Sequence, residues 1–436
     1  MSAPTVWLTT LGCAKNQVDS EKLTAMLDEA GYGRASDPAR ADVVMVNTCA
    51  FIEAAREESV EVILQLEEAK RSGASLVVLG CLAQRFGSEI SEALPEADAV
   101  LGLDRYGELV GTLDRITNWQ PVGIRRSSMD ILHAVNRPTP TLPYAYVKVA
   151  EGCDKPCTFC AIPLIRGRQR SRDPANIRDE IQALTAGGVS EIVLVAQDLA
   201  SYGRDIDAPG GLVGLLNRVS DVEGLRRLRL LYLYPNEIRP VLMAEMATNP
   251  LVAPYFDLSL QHAEERLLRA MSRPGHGGRY LELIGRIRSL DPEAALRSSF
   301  IVGFPGETDD DVETLAGFLE QARLDWAGFF PYSAEVGTPA AHFSDQIDPD
   351  AIAERLRYLQ RTQDEMTEEA NAAQVGRVME VLVDQVEDGV PVGRTYREAP
   401  EIDGMVTLDR GRPGEWVRAR ITASYGVDLT AEVVEA

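Results

Sequence analysis

The stretch Glu151-Gly152-Cys153-Asp154-Lys155-Pro156-Cys157-Thr158-Phe159-Cys160 sets three cysteines in one short run, with three and then two residues between them. Such spacing lets a tight loop present three thiolates to three irons of a 4Fe-4S cluster and leave the fourth iron open. The competing reading is a zinc knuckle, which needs four ligands and would borrow a distant histidine from the four in the chain. The other three cysteines, Cys13, Cys49 and Cys81, lie far apart. Disulfides need pairs and an oxidising compartment, so two sets of three fit an open 4Fe-4S site better than either alternative.

Working outward from the cysteine run, short apolar or β-branched runs alternate with helical patterns. The strand-like runs are Tyr144 to Val149, Glu191 to Ala196, Leu228 to Leu233, Tyr255 to Leu260, Leu296 to Val302 and Ala327 to Tyr332. Between them lie helical stretches such as Pro174 to Ala186 and Asp309 to Ala322. Six β/α units predict a partial barrel, whose functional loops gather at the carboxyl ends of the strands. There stand the cysteine run, Gln197-Asp198, Tyr234-Pro235, Gln261-His262 and Gly303-Phe304-Pro305-Gly306-Glu307. A lone histidine at His262 is more often structural than chemical. Arg166, Arg168, Arg170 and Arg172 alternate, which on an extended segment predicts one shared face that either holds carboxylates or offsets nearby acid.

The first 118 residues read as a parallel α/β sheet. Its strands are Thr5 to Leu11, Asp42 to Asn47, Ser75 to Leu79 and Ala99 to Leu101; its helices include Glu21 to Glu29, capped by Asp19-Ser20, and Ala54 to Lys70. Cys13, Cys49 and Cys81 each fall just past the carboxyl end of a different strand. A single free cysteine is ordinarily an inert core residue, but three at one topological position converge on the edge where open α/β sheets bind ligands. Residues 119–139, with Pro121 and Pro138, read as a connector, and 140–371 as the barrel domain closed by a polar helix from Asp350 to Ala373. Residues 372–436 read as all-β, with strand-like runs Arg377 to Val386, Met405 to Leu408, Glu415 to Ala423 and Leu429 to Val434, and predict a small five-stranded barrel.

Across 436 residues, 44 Lys and Arg face 67 Asp and Glu, a formal charge of −23. The C-terminal region holds no lysine, and its balance disfavours a surface that grips phosphate backbones. Neither a basic leader nor an eighteen-residue apolar run occurs, so a cytoplasmic protein with no membrane partner is expected.

The cysteine run, its place after the first barrel strand and Val302-Gly303-Phe304-Pro305-Gly306-Glu307 resemble the radical S-adenosylmethionine superfamily. The three-part order resembles the methylthiotransferases along nearly the whole chain. That resemblance implies a radical-generating 4Fe-4S cluster on Cys153, Cys157 and Cys160, and an auxiliary 4Fe-4S cluster on Cys13, Cys49 and Cys81 that carries the sulfur. S-adenosylmethionine then serves as methyl donor and radical source, and an electron donor and a sulfur source are implied as partners. Phe159, Gln197, Gln261, Gly303 and Glu307 are the expected cofactor contacts. Asn47-Thr48-Cys49-Ala50-Phe51-Ile52-Glu53-Ala54-Ala55-Arg56-Glu57-Glu58-Ser59 looks like the branch that modifies an aspartate of small-subunit ribosomal protein twelve. Tyr144-Ala145-Tyr146-Val147-Lys148 and Ala399-Pro400-Glu401-Ile402-Asp403-Gly404 point the same way, whereas Pro138-Thr139-Pro140-Thr141 departs from the family's pattern. The alternative branch modifies adenosine in transfer RNA, and a cluster-bearing sensor without turnover is a reading from another class. Because ribosomal proteins are basic, Glu398, Glu401 and Asp403 are expected to dock the substrate.

Overall fold

A computed structural model describes residues 3–119, 132–133, 137–138 and 140–434; Pro121 and Thr139 of the connector region lie outside them. Strands β1 (Thr5–Thr10), β2 (Gly33–Arg34), β3 (Val43–Thr48), β4 (Ser75–Gly80) and β5 (Ala99–Leu101) form a parallel sheet in the order β2-β1-β3-β4-β5. The apolar runs of β3 and β4 are buried, as a parallel strand covered by helices on both faces requires. Cys13, Cys49 and Cys81 follow β1, β3 and β4, which are neighbours in the sheet, so the three thiols share one edge.

One helix departs from expectation. It begins at Ala14 rather than Glu21, with Cys13 at its N-cap. Asp19 and Ser20 do not cap a helix start: Asp19 pairs with Lys148, and the Ser20 hydroxyl bonds Thr10 and Asn47. Tertiary partners satisfy these polar side chains, so they sit inside the helix at no net cost.

Next come β6 (Tyr144–Lys148), β7 (Ala150–Glu151), β8 (Arg170–Ser171), β9 (Glu191–Val195), β10 (Arg227–Leu230), β11 (Tyr255–Gln261), β12 (Ala295–Val302) and β13 (Trp326–Pro331). The ladders β10-β9-β6 and β11-β12-β13 are parallel, and the bridges Leu228 to Val252 and Leu233 to Leu258 join them into one open, six-stranded wall. One face of that wall, including Ala145, Val147, Leu194, Phe256 and Leu296, is sealed by helices. The opposite face carries Tyr144, Tyr146, Val193, Val195, Tyr255 and Trp326. Antiparallel β7 and β8 join the two ends of the segment that carries the cysteine run. The single-face expectation for the four arginines fails here. Arg166 ends the helix Ile162–Arg166 and Arg170 lies in β8; Arg166 and Arg172 are buried in ion pairs, while Arg168 is exposed.

The helix Pro349–Ala372 leads to β14 (Val378–Glu387), β15 (Val390–Arg394), β16 (Val406–Leu408), β17 (Trp416–Tyr425) and β18 (Asp428–Val433), which close into a barrel in the order β14-β15-β16-β18-β17. Its loop Thr395–Asp403 fills the inner face of the six-stranded wall, where Ala399 joins the tyrosine cluster. Arg227 and Arg229 donate to the carbonyls of Thr395 and Tyr396 at 2.9 and 2.8 Å, Trp326 Nε1 donates to Arg397 O at 3.0 Å, and Tyr146 Oη donates to Pro400 O at 2.9 Å. Arg227 and Trp326 open their strands, and Tyr146 and Arg229 lie within theirs, before the loops at the carboxyl ends.

The assignment of Glu398 and Asp403 to substrate docking is therefore corrected. Glu398 is wholly buried and accepts from the amide and hydroxyl of Thr395 at 2.9 and 2.6 Å. Asp403 accepts from Tyr255 Oη at 2.6 Å and pairs with Arg297 at 3.3 Å. Glu401 is exposed but bonded by Tyr144 Oη at 3.0 Å. The acid that composition assigns to a surface is spent in part on an internal contact. No helix among the described residues is long and apolar enough to cross a membrane.

Glu191 anchors the same contact from β9, 2.9 Å from Arg229, 3.1 Å from Arg394 and 3.6 Å from Arg227. Burial alone would raise its carboxyl, but Arg394, Arg229 and Arg227 hold it down at about 2, against an ordinary 4.5. A carboxyl depressed on folding stabilises the protein above its unfolded value and loses that contribution as pH falls through its folded one. Glu191→Ala should thus cost about 3–5 kcal/mol at neutral pH by leaving buried arginines unpaired. In denaturant titrations, the gap from the parent should narrow between pH 4.5 and 2.

Candidate metal centres and cofactor pocket

The cysteine loop is pinned by backbone. Cys153 N donates to Gly167 O at 3.1 Å, and Thr158 donates from its amide to Met271 O and from its hydroxyl to Ala270 O, at 3.2 and 2.8 Å. Gly152 must be glycine: φ is +77°, and a Cβ would sit 2.2 Å from Arg168 O. Burial pushes the Cys153 thiol up to about 11 and Cys160 to about 12, and Cys157 adds to both by like-charge repulsion. Arg273 Nη1 donates to Cys157 Sγ at 3.5 Å, and its guanidinium lies 4.2 Å from the Tyr234 ring centroid.

On the N-terminal edge, Cys13 caps one helix and Cys81 opens another, so both thiols face the positive end of a helix dipole. Burial opposes ionisation of Cys13, yet Lys15, Arg166 and the amides of Asn16 and Lys15 outweigh it and lower the thiol. Burial pushes Cys49 up to about 12, with repulsion from Cys81 and Cys13, and raises Cys81 as well. Asn16 Nδ2 ties the strand ends together, donating to Leu11 O and Thr48 O at 2.9 Å each.

Among the described residues, no three His, Cys, Asp or Glu side chains close around a point as a single ion would require. A cluster whose irons each take their own thiolate spreads its ligands wider. Two sets of three cysteines, with arginine or lysine beside each, fit an anionic 4Fe-4S cluster with one open iron.

Above the cysteine loop lie the carboxyl ends of β9, β10 and β11. Gln197 Nε2 donates to Glu151 Oε1 at 3.0 Å. Gln197 Oε1, Asp198 Oδ1 and Arg273 Nε are buried with no hydrogen-bond partner, so a polar ligand would meet them, while His262 Nε2 lies 3.6 Å from Glu307 Oε2. Tyr232 and Gln261 hold φ of +64° and +73°, a left-handed conformation that non-glycine residues keep only where surrounding structure enforces it. Phe159 is half-buried against the barrel's apolar core. Glu307, an expected cofactor contact, is engaged within its own turn: both its oxygens accept from Gly303 N, at 2.9 and 3.0 Å, and Arg355 pairs with it at 2.9 Å. It closes the turn. Gly303, its amide spent on Glu307, gives room to the helix Pro349–Ala372, since a Cβ there would meet Ile352 at 2.4 Å.

Sequence reasoning singled out neither Asn16, Lys15 nor Arg273. Asn16 lies one helical turn past Cys13, a spacing that becomes a signal only once the helix start is known. Lys15 Nζ sits 3.5 Å from the centroid of Tyr232 and so spans from the N-terminal edge to the barrel mouth.

The fold and its two sulfur triplets define a radical S-adenosylmethionine enzyme with a second cluster domain and a C-terminal β-barrel. Residues 147–319 match the model of the radical SAM superfamily, 375–434 the TRAM domain, and 5–102 a family described as uncharacterized protein family UPF0004. The chain is 42% identical to the ribosomal protein uS12 methylthiotransferase RimO of Saccharopolyspora erythraea, covering all of this chain and 96% of that one. It is 43% identical to the protein of the same name from Anaeromyxobacter sp. (strain K), covering 99% and 94%. Among solved structures, the radical S-adenosylmethionine methyltransferase TsrM from Kitasatospora setae shares the fold, with TM-score 0.54, 15% identity and coverage of 78% and 77%. The chain belongs to the RimO family of radical S-adenosylmethionine methylthiotransferases.

Gly12 has φ +87°, and an added Cβ would lie 2.7 Å from Cys49 Cβ and 2.8 Å from its sulfur. Gly12→Ala should therefore displace Cys49 and lower iron content by about one cluster's worth after reconstitution, with S-adenosylmethionine cleavage retained.

Proposed function

We propose that this protein inserts a methylthio group on the β-carbon of an aspartate in ribosomal protein uS12. One observation carries the reading: identity above 40% along essentially the whole chain to enzymes of that name. Cys153, Cys157 and Cys160 hold the radical-generating cluster, and Cys13, Cys49 and Cys81 the auxiliary one. When bound, these groups supply the electron that cleaves S-adenosylmethionine to a 5′-deoxyadenosyl radical and the sulfur that is methylated and inserted.

The chain's own residues orient and exclude. Glu151, tied to Gln197, fixes the floor of the pocket. Gln197 Oε1 and Gln261 are placed to accept the cofactor's polar groups, and Phe159 lines its apolar side. Arg273 holds the Cys157 sulfur and keeps Nε free for a carboxylate. Lys15, 3.5 Å from the Tyr232 ring centroid, ties the N-terminal edge to the barrel mouth. The enzyme works in the cytoplasm, drawing on an electron donor and a sulfur source.

Mass spectrometry of ribosomal proteins from cells with and without the chain tests the reading: the methylthio group on uS12 should vanish when the chain is absent. Methylthiolated adenosine beside unmodified uS12 would assign the chain to transfer RNA instead. Cys153→Ala, Cys157→Ala or Cys160→Ala should abolish 5′-deoxyadenosine formation. Cys13→Ala, Cys49→Ala or Cys81→Ala should abolish methylthio transfer while leaving measurable 5′-deoxyadenosine.

A further inference from the structure

Arg166 stands six residues past Cys160, yet its guanidinium reaches into the other cluster's domain. Nη2 donates to Asn16 Oδ1 at 2.5 Å and to Cys81 Sγ at 3.3 Å. Nη1 donates to Glu151 Oε1 at 2.7 Å and to Asp19 Oδ2 at 3.3 Å. Lys148 Nζ binds the other oxygens of the same two carboxylates, Asp19 Oδ1 and, at 2.5 Å, Glu151 Oε2. All four charged side chains are almost fully shielded from water. Glu151 in turn accepts from Gln197 at the pocket floor.

Two cations and two anions balance within this square, so Arg166 meets its electrostatic needs before Cys81 is counted. Its second nitrogen is nonetheless aimed at the sulfur. A plain structural ion pair would not require that, whereas a fixed donor to a cluster sulfur would. In a site of low dielectric, a permanent positive charge and a hydrogen bond to a ligating sulfur favour the reduced, more negative state of a cluster. Lysine could not substitute fully, because the planar fork serves Asn16 and Cys81 on one side and both carboxylates on the other.

We propose that Arg166 is a positioning residue that sets the reduction potential of the auxiliary cluster and fixes that cluster relative to the S-adenosylmethionine pocket through Glu151 and Gln197. This rests on the reading that Cys13, Cys49 and Cys81 hold the cluster. The N-terminal cluster is thus tuned by a residue of the barrel domain, beside the radical-generating loop.

The test uses the full-length chain carrying Cys153→Ala, Cys157→Ala and Cys160→Ala, reconstituted so that only the auxiliary cluster remains, with its potential followed by electron paramagnetic resonance during redox titration. Absence of any cluster in this background would refute the ligand assignment itself and is read from iron content before any titration. With the cluster present, Arg166→Gln should shift the midpoint to more negative values, and Arg166→Lys should shift it less in the same direction. Asp19→Asn, which removes a negative charge from the same square, should shift it to more positive values and keeps the inference testable if Arg166→Gln does not fold. Midpoints unchanged in the folded variants, or shifts of the same sign for Arg166→Gln and Asp19→Asn, would overturn the inference.

Discussion

Asp19, Lys148, Glu151 and Arg166 form the contact on which the rest of the molecule depends. Each of these charges, buried alone, would cost several kcal/mol in lost hydration, so none is tolerable without the other three. Asp19 belongs to the first helix of the N-terminal domain, Lys148 to the end of the first barrel strand, Glu151 to the residue pair before Cys153, and Arg166 to the short helix after Cys160. The square therefore fixes the distance and orientation between two cysteine sets that no covalent geometry connects. Its satisfaction also accounts for why an acidic residue sits two positions before the first cysteine of the loop.

A second constraint follows from strand number. Six parallel strands do not close, and an open wall leaves an inner face that must be covered. In this chain the C-terminal barrel supplies the cover, with Thr395–Asp403 laid against the tyrosines and arginines of the wall. The opposite, carboxyl end of the strands stays available for the cofactor loops. One end of the wall is thus devoted to stability and the other to chemistry, as in complete barrels.

Much of this was legible in the sequence where local pattern governs. The run after Glu191 is continuously apolar and β-branched, and those at Tyr255 and Ala295 are apolar at both ends around a few polar residues, so their limits were readable within a residue or two. Leu228 to Leu233 reads as a longer strand than it forms, because Tyr232 turns left-handed and leaves the ladder. The six cysteines were legible as two sites because their count and their places after strands are sequence properties. What sequence does not carry is which charges meet. Asp19-Ser20 reads as a helix cap and Asp403 as surface acid, since local rules assign polar residues to water; only the assembled fold shows that partners 129 and 148 residues away replace the water. Arg273 stayed hidden for the same reason.

Ala161 and Ile165, which flank the turn out of the cysteine loop, are counted in the apolar core of the N-terminal domain, alongside Leu82, Ala83 and Leu103. The boundary between the two cluster domains is thus not a seam. A chain severed between them would expose two core residues on one side and strand Lys148 and Arg166 without Asp19 on the other. The loop that carries Cys153, Cys157 and Cys160 therefore shares its packing with the N-terminal domain, and the two halves should melt as one cooperative unit.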